Sequence, residues 1–562
     1  MPQQAEQDSR RCGEARRSRV CIITLYLSES LGARHLSSML KARGHDCALI
    51  FFKQFRWGEF HPVTKREEEL LLALLRRLRP DLVGISMTSS LVADLAFGLA
   101  DTIQEQLRAP VILGGGHASV SPEECIQHAG YVCVGEGEMA IAQLADALAS
   151  GKPTSGIPSI WARIGDEVHR NELSPLVQDL DSLPFPTYGD PASYLIEDDT
   201  LEEVDPATRI PMYHTAASRM NCPFNCAFCA GVWFRRTLYA GKGQVRRYRS
   251  VGNLLAEIQG AVARHPGIEL VQFWDEVFGA GAPKGWFDEF CERFPGEIGR
   301  PFGIWTHPGL ITKEYAGKLR AAGLKSVVIG VQSGSERVRR EVLNRHESNA
   351  TVLRAARILR DHGVAAVYDF ILDLPWLAEE NCRETFELVM RLPRPVSVGL
   401  HSLIFLPHTA LTERALREGA IRPEQVALRD KALSERFESF LWKYRLEMRD
   451  RRAAFWHSLI YLASMPFMPR RLLRLVSRMR LLLQLYPQPL MAAAQVARLR
   501  SQSGQVKLFP AVEAVWPCLA GFLARHPTLG RLVNRSARAL GGIALRGLKD
   551  RGPSPGVRAK RV

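Results

Sequence analysis

Cysteine is scarce in this sequence. There are 11 in 562 residues, and most stand alone inside apolar runs, such as Cys21 in VCIITLY and Cys133 in YVCVGEGE. That density excludes a disulfide scaffold, and the isolated thiols read as reduced core residues of a cytosolic protein. Long apolar runs are also missing: none reaches the ~18 residues that a membrane-spanning helix needs. The opening stretch MPQQAEQDSRRCGEARRSRV is basic but has no apolar segment of the secretory-signal kind. Acidic residues are nearly absent from one region. From Leu441 to Val562 there are 23 basic side chains against 4 acidic ones, a net +19, whereas the whole chain carries +15 and the rest therefore −4. The basicity belongs to a C-terminal segment attached to a mildly acidic body. No nucleic-acid-binding motif accompanies it, so no nucleic-acid partner is expected.

What is present is the composition of a folded protein, 46% hydrophobic and 24% charged, long enough for about three domains. Residues 1–17 read as a disordered basic tail. Over 18–150 apolar strands (19–27, 46–52, 81–87, 110–116, 131–138) alternate with helical spacings (32–44, 66–80, 90–107, 139–149), which predicts a doubly wound, Rossmann-like parallel sheet. Ligands of such sheets bind beyond the strand carboxyl ends, here SMTSS, GGGHAS and GEGE. Residues 151–205 read as a linker with one small hairpin. From 206 to 420 six strands (212–218, 269–274, 302–306, 326–331, 366–372, 398–405) separated by helices predict a partial (β/α)6 TIM-like barrel, whose functional face lies at the strand C-terminal ends. Residues 421–562 read as a basic helical region.

The densest chemical signal is NCPFNCAFC, which places Cys222, Cys226 and Cys229 in a C-x3-C-x2-C spacing directly after the first barrel strand. Clustered thiolates bind soft metals. A structural zinc takes four protein ligands, so one reading is a zinc site with a distant fourth ligand. The other is an iron–sulfur cubane whose fourth iron has no protein ligand and stays open to a substrate. Placement on the functional face of a barrel favours the second.

This loop, with Phe228 just before the last cysteine, resembles the radical S-adenosylmethionine (radical SAM) superfamily. Further matches follow in order: VQFWDEVF (271–278), SVVIGVQSGSERV (326–338), YDFILDLPWLAEEN (368–381) and LPHTALTERALREG (406–419). The resemblance covers roughly 155–420. Gln332 stands where many members have Glu, and Asp373 where many have Gly. The resemblance implies that Cys222, Cys226 and Cys229 hold a [4Fe–4S] cluster and that S-adenosylmethionine (SAM) docks on the open iron. One electron then yields methionine and a 5′-deoxyadenosyl radical, which takes hydrogen from an unactivated carbon. The SAM-side candidates are Phe228, Asp275, Glu276, Gln332, Ser333 and Gly334. Asp275 and Glu276 equally read as a solvated strand-end pair, and Gly334 as a turn glycine. An electron donor such as flavodoxin or ferredoxin is implied.

PVILGGGHASVSPEE, YVCVGEGE and DLDSLPFPTYGD resemble the cobalamin-binding branch of the same superfamily. The implied cobalamin-binding residues are Ser86, Thr88, Ser89, Gly114, Gly115, Gly116, His117, Gly135, Glu136 and Gly137. Glycines let backbone lie against a large ligand, and the hydroxyls can bond a nucleotide tail at a strand end. The alternative is a Gly-rich turn in a domain that binds nothing. The D-x-H-x-x-G signature that supplies a lower axial histidine is absent, and His35 and His117 stand in other contexts. The expectation is a cobalt with no protein histidine below it.

The resemblance implies a cytoplasmic, cobalamin-dependent radical SAM methyltransferase acting on a small molecule whose identity is not readable. The alternatives are a B12-dependent cyclase and, from another class, a cobalamin-binding sensor with a degenerate barrel, against which the intact cysteine triad argues. In the basic tail, Arg470, Arg471, Arg474 and Arg478 recur beside Leu472, Leu473 and Leu475. That pattern fits a helix lying on an anionic membrane and equally a helix covering the barrel.

Overall fold

In the computed structural model, residues 17–54, 61–428, 451–466 and 468–479 are described. The tail expected over 1–17 and most of the helical region expected over 421–562 lie outside them. The chain divides into two units, Met1–Lys443 and Tyr444–Val562.

The first unit contains two sheets. Strands β1 (Arg19–Leu25), β2 (Asp46–Phe52), β3 (Leu82–Ser86), β4 (Val111–Gly114) and β5 (Tyr131–Cys133) pair in parallel in the order β5-β4-β3-β1-β2. After their first residue β1 and β2 are buried throughout, as both-face coverage by helices demands. One face packs Ile23, Ile50, Val83 and Leu113 against the helices Lys65–Leu78 and Ala93–Leu107, and the other packs Ile22, Leu49 and Ile112 against Leu31–Ala42 and Glu138–Ser150. Helix starts are capped: Thr64 and Glu67 form a reciprocal capping box on Lys65–Leu78. The order reverses between β1 and β3, the crevice where such sheets bind ligands.

Residues 151–205, expected as a linker, contribute four strands to this sheet. The hairpin β6 (Ile160–Ile164) and β7 (Glu167–Arg170) adds antiparallel to β5. At the other edge β8 (Ser193–Glu197) pairs in parallel with β2, and β9 (Thr200–Glu202) closes it. These strands are short, and their alternation is interrupted by Pro-rich turns, which is why the stretch reads as irregular in sequence.

The second sheet is the partial barrel. Its strands are β10 (Met212–Thr215), β13 (Leu270–Phe273), β14 (Phe302–Thr306), β15 (Leu324–Gln332), β16 (Ala365–Ile371) and β17 (Ser397–His401), all parallel and adjacent in chain order. A two-stranded antiparallel ribbon, β11 (Ser218–Arg219) with β12 (Arg247–Tyr248), brackets the cysteine loop. Phe273, Phe278, Phe290, Phe294 and Phe302 are fully buried and in mutual ring contact between the strands and the helix Trp286–Ile298. In the second unit the described elements are the helices Arg451–Ser464 and Arg470–Arg478. On the latter, Leu473 is buried while Leu472 and Leu475 are exposed. No helix among the described residues is long and apolar enough to cross a membrane.

Candidate cofactor site

The cysteine loop leaves the top of β10 and is pinned on every side. Ala227 donates its N–H to Leu343 O and accepts from Leu411 N, both at 2.9 Å. Asn344 Nδ2 donates to Asn225 O at 2.7 Å, and Asn221 Nδ2 to Val277 O at 2.7 Å. Phe228 packs into an apolar cluster with Val338, Ile371, Leu374, Leu403 and Leu411. The three thiols are free, with Cys226 buried, Cys222 half-buried and Cys229 exposed. Three soft donors on one rigid loop, graded toward solvent, fit a group that needs three thiolates and one open corner.

The SAM-side candidates do not share one role. Glu276 is exposed at the end of the second barrel strand and accepts a backbone hydrogen bond from Asn221, next to Cys222. Asp275, by contrast, is buried. It accepts from Ala217 N at 2.9 Å and from the Ser218 hydroxyl, so it ties β13 to the segment after β10. Burial pushes its carboxyl up to about 6. Ser333 is also buried, donating to Asn381 Oδ1 at 2.6 Å and accepting from Ser335 N at 3.0 Å. A Cβ on Gly334 would lie 2.2 Å from Thr385 Cα and 2.4 Å from Glu384 O, so this glycine admits the helix Ala378–Arg391 rather than a ligand. Gln332 ends β15 at a register shift with φ of 70°, and its amide folds back over Gly330. Asp373 accepts from Leu403 N at 2.7 Å, joining the end of β16 to the loop after β17, and burial raises it to about 6.

A cavity of about 340 Å³ opens between the first sheet and the barrel. Of the cobalamin-side candidates, Ser86, Thr88, Gly114, Gly115, Gly135, Glu136 and Gly137 line it. Ser89, Gly116 and His117 are not among its lining residues. The Ser89 side chain caps the turn Ser90–Val92. A Cβ on Gly116 would lie 2.8 Å from Thr88 O, so it serves the packing of two turns. His117 is buried behind them, bonded through Nδ1 to Ser90 Oγ at 2.9 Å. Other residues line it too: Leu31, Gly32 and Leu36 from the first helix together with His35, which the sequence pattern set aside, Leu183 to Phe185 from the supposed linker, and Ser218, Arg219, Arg249 and Glu257 from the barrel region. The i, i+3, i+4 spacing of Gly32, His35 and Leu36 puts them on one helix face, the one signal that would have grouped them. His35 Nδ1 is buried with no hydrogen-bond partner among the described residues, and burial lowers the pKa of the ring. A neutral imidazole with an orphaned nitrogen, glycines and strand-end hydroxyls make a lining that fits a large polar-edged cofactor.

The barrel lumen is lined by alternate strand residues. His214 meets Trp274 edge-on at 5.2 Å, and Trp274 meets Trp305 at 6.2 Å. On the far strands, Asp369 Oδ1 lies 3.3 Å from His401 Nε2, beside Gly330 and Gly399, which pair with Asp369 in register.

Family models match two stretches of the chain: the B12 binding domain over residues 20–145 and the radical SAM superfamily over residues 220–389. An uncharacterized methyltransferase of Pyrococcus horikoshii is 26% identical over 376 residues, covering 64% of this chain and 73% of that protein. The anaerobic magnesium-protoporphyrin IX monomethyl ester cyclase of Cereibacter sphaeroides is 26% identical over 338 residues, covering 57% of this chain but only 51% of that protein. The bacteriochlorophyllide d C-8(2)-methyltransferase of Chlorobaculum tepidum is 30% identical over 153 residues, 26% of this chain and 28% of that one. Among solved structures, the fold is similar to the radical SAM methyltransferase TsrM of Kitasatospora setae, with a TM-score of 0.57 at 17% identity over 72% of this chain and 77% of that one. It is also similar to the cobalamin-dependent radical SAM enzyme OxsB, with a TM-score of 0.56 at 16% identity over 91% and 75%. With a B12 binding domain matched ahead of a radical SAM domain, in one unit that carries three thiols on a pinned loop, the chain has the two-domain make-up of a B12-dependent radical SAM enzyme.

Proposed function

We propose that the chain is a methyltransferase that transfers a methyl group to an unactivated carbon of a small molecule. The observation that carries this reading is the cavity shared by the first sheet and the barrel, in the same unit as the Cys222–Cys226–Cys229 loop. When bound, the cluster and SAM supply one-electron cleavage to a 5′-deoxyadenosyl radical, and cobalamin supplies the methyl carrier. The chain's own residues do the rest. Cys222, Cys226 and Cys229 would hold the cluster, on a loop that the Ala227 and Asn225 backbone bonds keep in place. Glu276 and Gln332 stand at the barrel mouth on the SAM side. Ser86, Thr88, Gly114, Gly115, Gly135, Glu136, Gly137 and His35 would cradle cobalamin, and Leu183 to Phe185 add an apolar stretch to the lining. Trp274, Trp305 and the Asp369–His401 pair line the space left for substrate.

The cyclase relative supports a second reading, radical chemistry without methyl transfer. Anaerobic reconstitution with SAM, a reductant and cobalamin decides between them. Both readings require 5′-deoxyadenosine, and a product heavier by one CH2 unit selects methylation. A loaded cluster that forms no deoxyadenosine selects a sensor or carrier. An external one-electron donor of the flavodoxin or ferredoxin class belongs to the proposal. So does peripheral membrane contact through Arg470–Arg478, whose exposed Leu472 and Leu475 lie among arginines.

A further inference from the structure

The three cysteines differ in what approaches their sulfurs. Cys222 and Cys229 draw backbone donors, from Phe224 and Gly231. Cys226, 8% exposed, is approached instead by a cation: Arg345 Nη1 lies 3.6 Å from its Sγ. Arg345 is equally buried at 8%, and its remaining nitrogens are occupied. Nε and Nη2 engage Glu347 Oε1 at 2.8 and 2.7 Å, and Nη2 also donates to Gly330 O on β15 at 2.6 Å. Behind it, His307 Nε2 lies 3.4 Å from Glu347 Oε2. The His307 ring stacks on Phe224, within the cysteine loop itself, at 3.9 Å. The guanidinium is therefore clamped at both ends of its fork, with Nη1 the nitrogen left for sulfur. A planar fork holds such a geometry where a lysine would not.

We propose that Arg345 is a positioning residue that sets the reduction potential of the iron–sulfur cluster through a charge-assisted hydrogen bond to the Cys226 thiolate. The inference rests on the reading that the three cysteines hold that cluster. A cluster with three thiolates is anionic, and reduction adds one more negative charge. A fixed cation in a buried, low-dielectric position stabilises the reduced form more than the oxidised one. Hydrogen bonds to cluster sulfurs are a recognised lever on such potentials. Arg345 thus raises the potential toward the range of a biological one-electron donor; Glu347 offsets part of the guanidinium charge but leaves Nη1–H donating to sulfur.

The test uses the full chain, anaerobically reconstituted, and a potentiometric titration followed by electron paramagnetic resonance. Wild type, Arg345→Gln and Arg345→Lys are compared after assay of iron and sulfide. The expected result is full iron in wild type and Arg345→Gln with a more negative midpoint in the variant, and partial recovery in Arg345→Lys. Equal midpoints at equal iron overturn this inference alone. If Arg345→Gln loses iron, the wild-type chain labelled with 15N-arginine decides without mutation. A guanidinium nitrogen coupled to the reduced cluster, with no SAM present, supports the proposal, and its absence overturns it. An iron-free wild-type chain overturns the cysteine reading and this inference with it.

Discussion

Arg219 Nη2 lies 2.5 Å from Glu138 Oε1, joining β11 of the barrel to the first residue of the helix that follows β5. Arg219 also reaches Glu136 at 3.4 Å, and Arg247, its register partner across the ribbon, meets Glu136 at 2.5 Å. Two carboxylates of the GEGE turn are thus matched to two arginines bracketing the cysteine loop, and these pairs tie the first sheet to the ribbon at the cavity wall. Breaking a largely buried pair by removing one partner costs about 3 kcal/mol. Arg219→Ala is expected to lower the unfolding free energy by that order and to loosen cobalamin retention, read by denaturant titration and by gel filtration with absorbance.

The pH dependence of two carboxylates runs in opposite directions. For Glu138 burial raises the pKa, but the charge and hydrogen bond of Arg219 outweigh it and carry the group down to about 2 from 4.5. Its folded pKa is depressed, so its contribution is complete above pH 4.5 and is lost as pH falls toward 2. Asp275 is raised by burial to about 6 from 3.8. Its contribution is complete below pH 3.8 and is lost as pH rises through 6. Asp275→Asn keeps an acceptor for Ala217 N and cannot ionise. Its stability is therefore expected to fall less than that of wild type, by about 2 kcal/mol, between pH 4 and pH 7. An unchanged pH difference in urea titrations would contradict this.

Gly334→Ala separates packing from cofactor contact. The added Cβ would collide with the backbone of Thr385, and overpacking of this kind costs about 1–3 kcal/mol. The variant is expected to melt lower, and SAM affinity at full iron loading is expected to change less than that of Gln332→Ala. Equilibrium dialysis with SAM beside a thermal melt gives both values.

Filling the cavity tests its occupant. Gly114 lines it at the end of β4, and its nearest neighbour is Cys133 Cβ at 3.6 Å, so a Cβ alone fits. Gly114→Leu is expected to weaken cobalamin binding about tenfold or more while iron content stays at the wild-type level. Parallel loss of iron would contradict separate sites.

Much of this fold is legible in the amino-acid order because burial imposes simple patterns. β1 and β2 are almost wholly apolar after their first residue, and β13 and β15 alternate between buried and half-buried residues. The cysteine triad is legible because its chemistry needs three thiols at close spacing. What was hidden depends on distance in the chain. Asp275, Ser333 and Gly334 sit inside recognisable motifs, yet their partners Ser218, Asn381 and Thr385 lie 57, 48 and 51 residues away, so motif membership alone could not separate holding a turn from holding a ligand. His35 and the Leu183–Phe185 segment line the cavity only because the first helix and the stretch between the two edge hairpins meet there. Arg345 falls in NRHES, a stretch with no periodicity, and only the folded loop brings it to Cys226.

The most direct measurement is metal and sulfide analysis of the full chain purified without oxygen, with absorption and electron paramagnetic resonance before and after reduction. The account predicts about four irons and four sulfides per chain, a cluster signal altered by added SAM, and loss of both in Cys222→Ala, Cys226→Ala and Cys229→Ala. Stoichiometric tetrahedral zinc at the same three thiols, with no iron taken up on reconstitution, would contradict it.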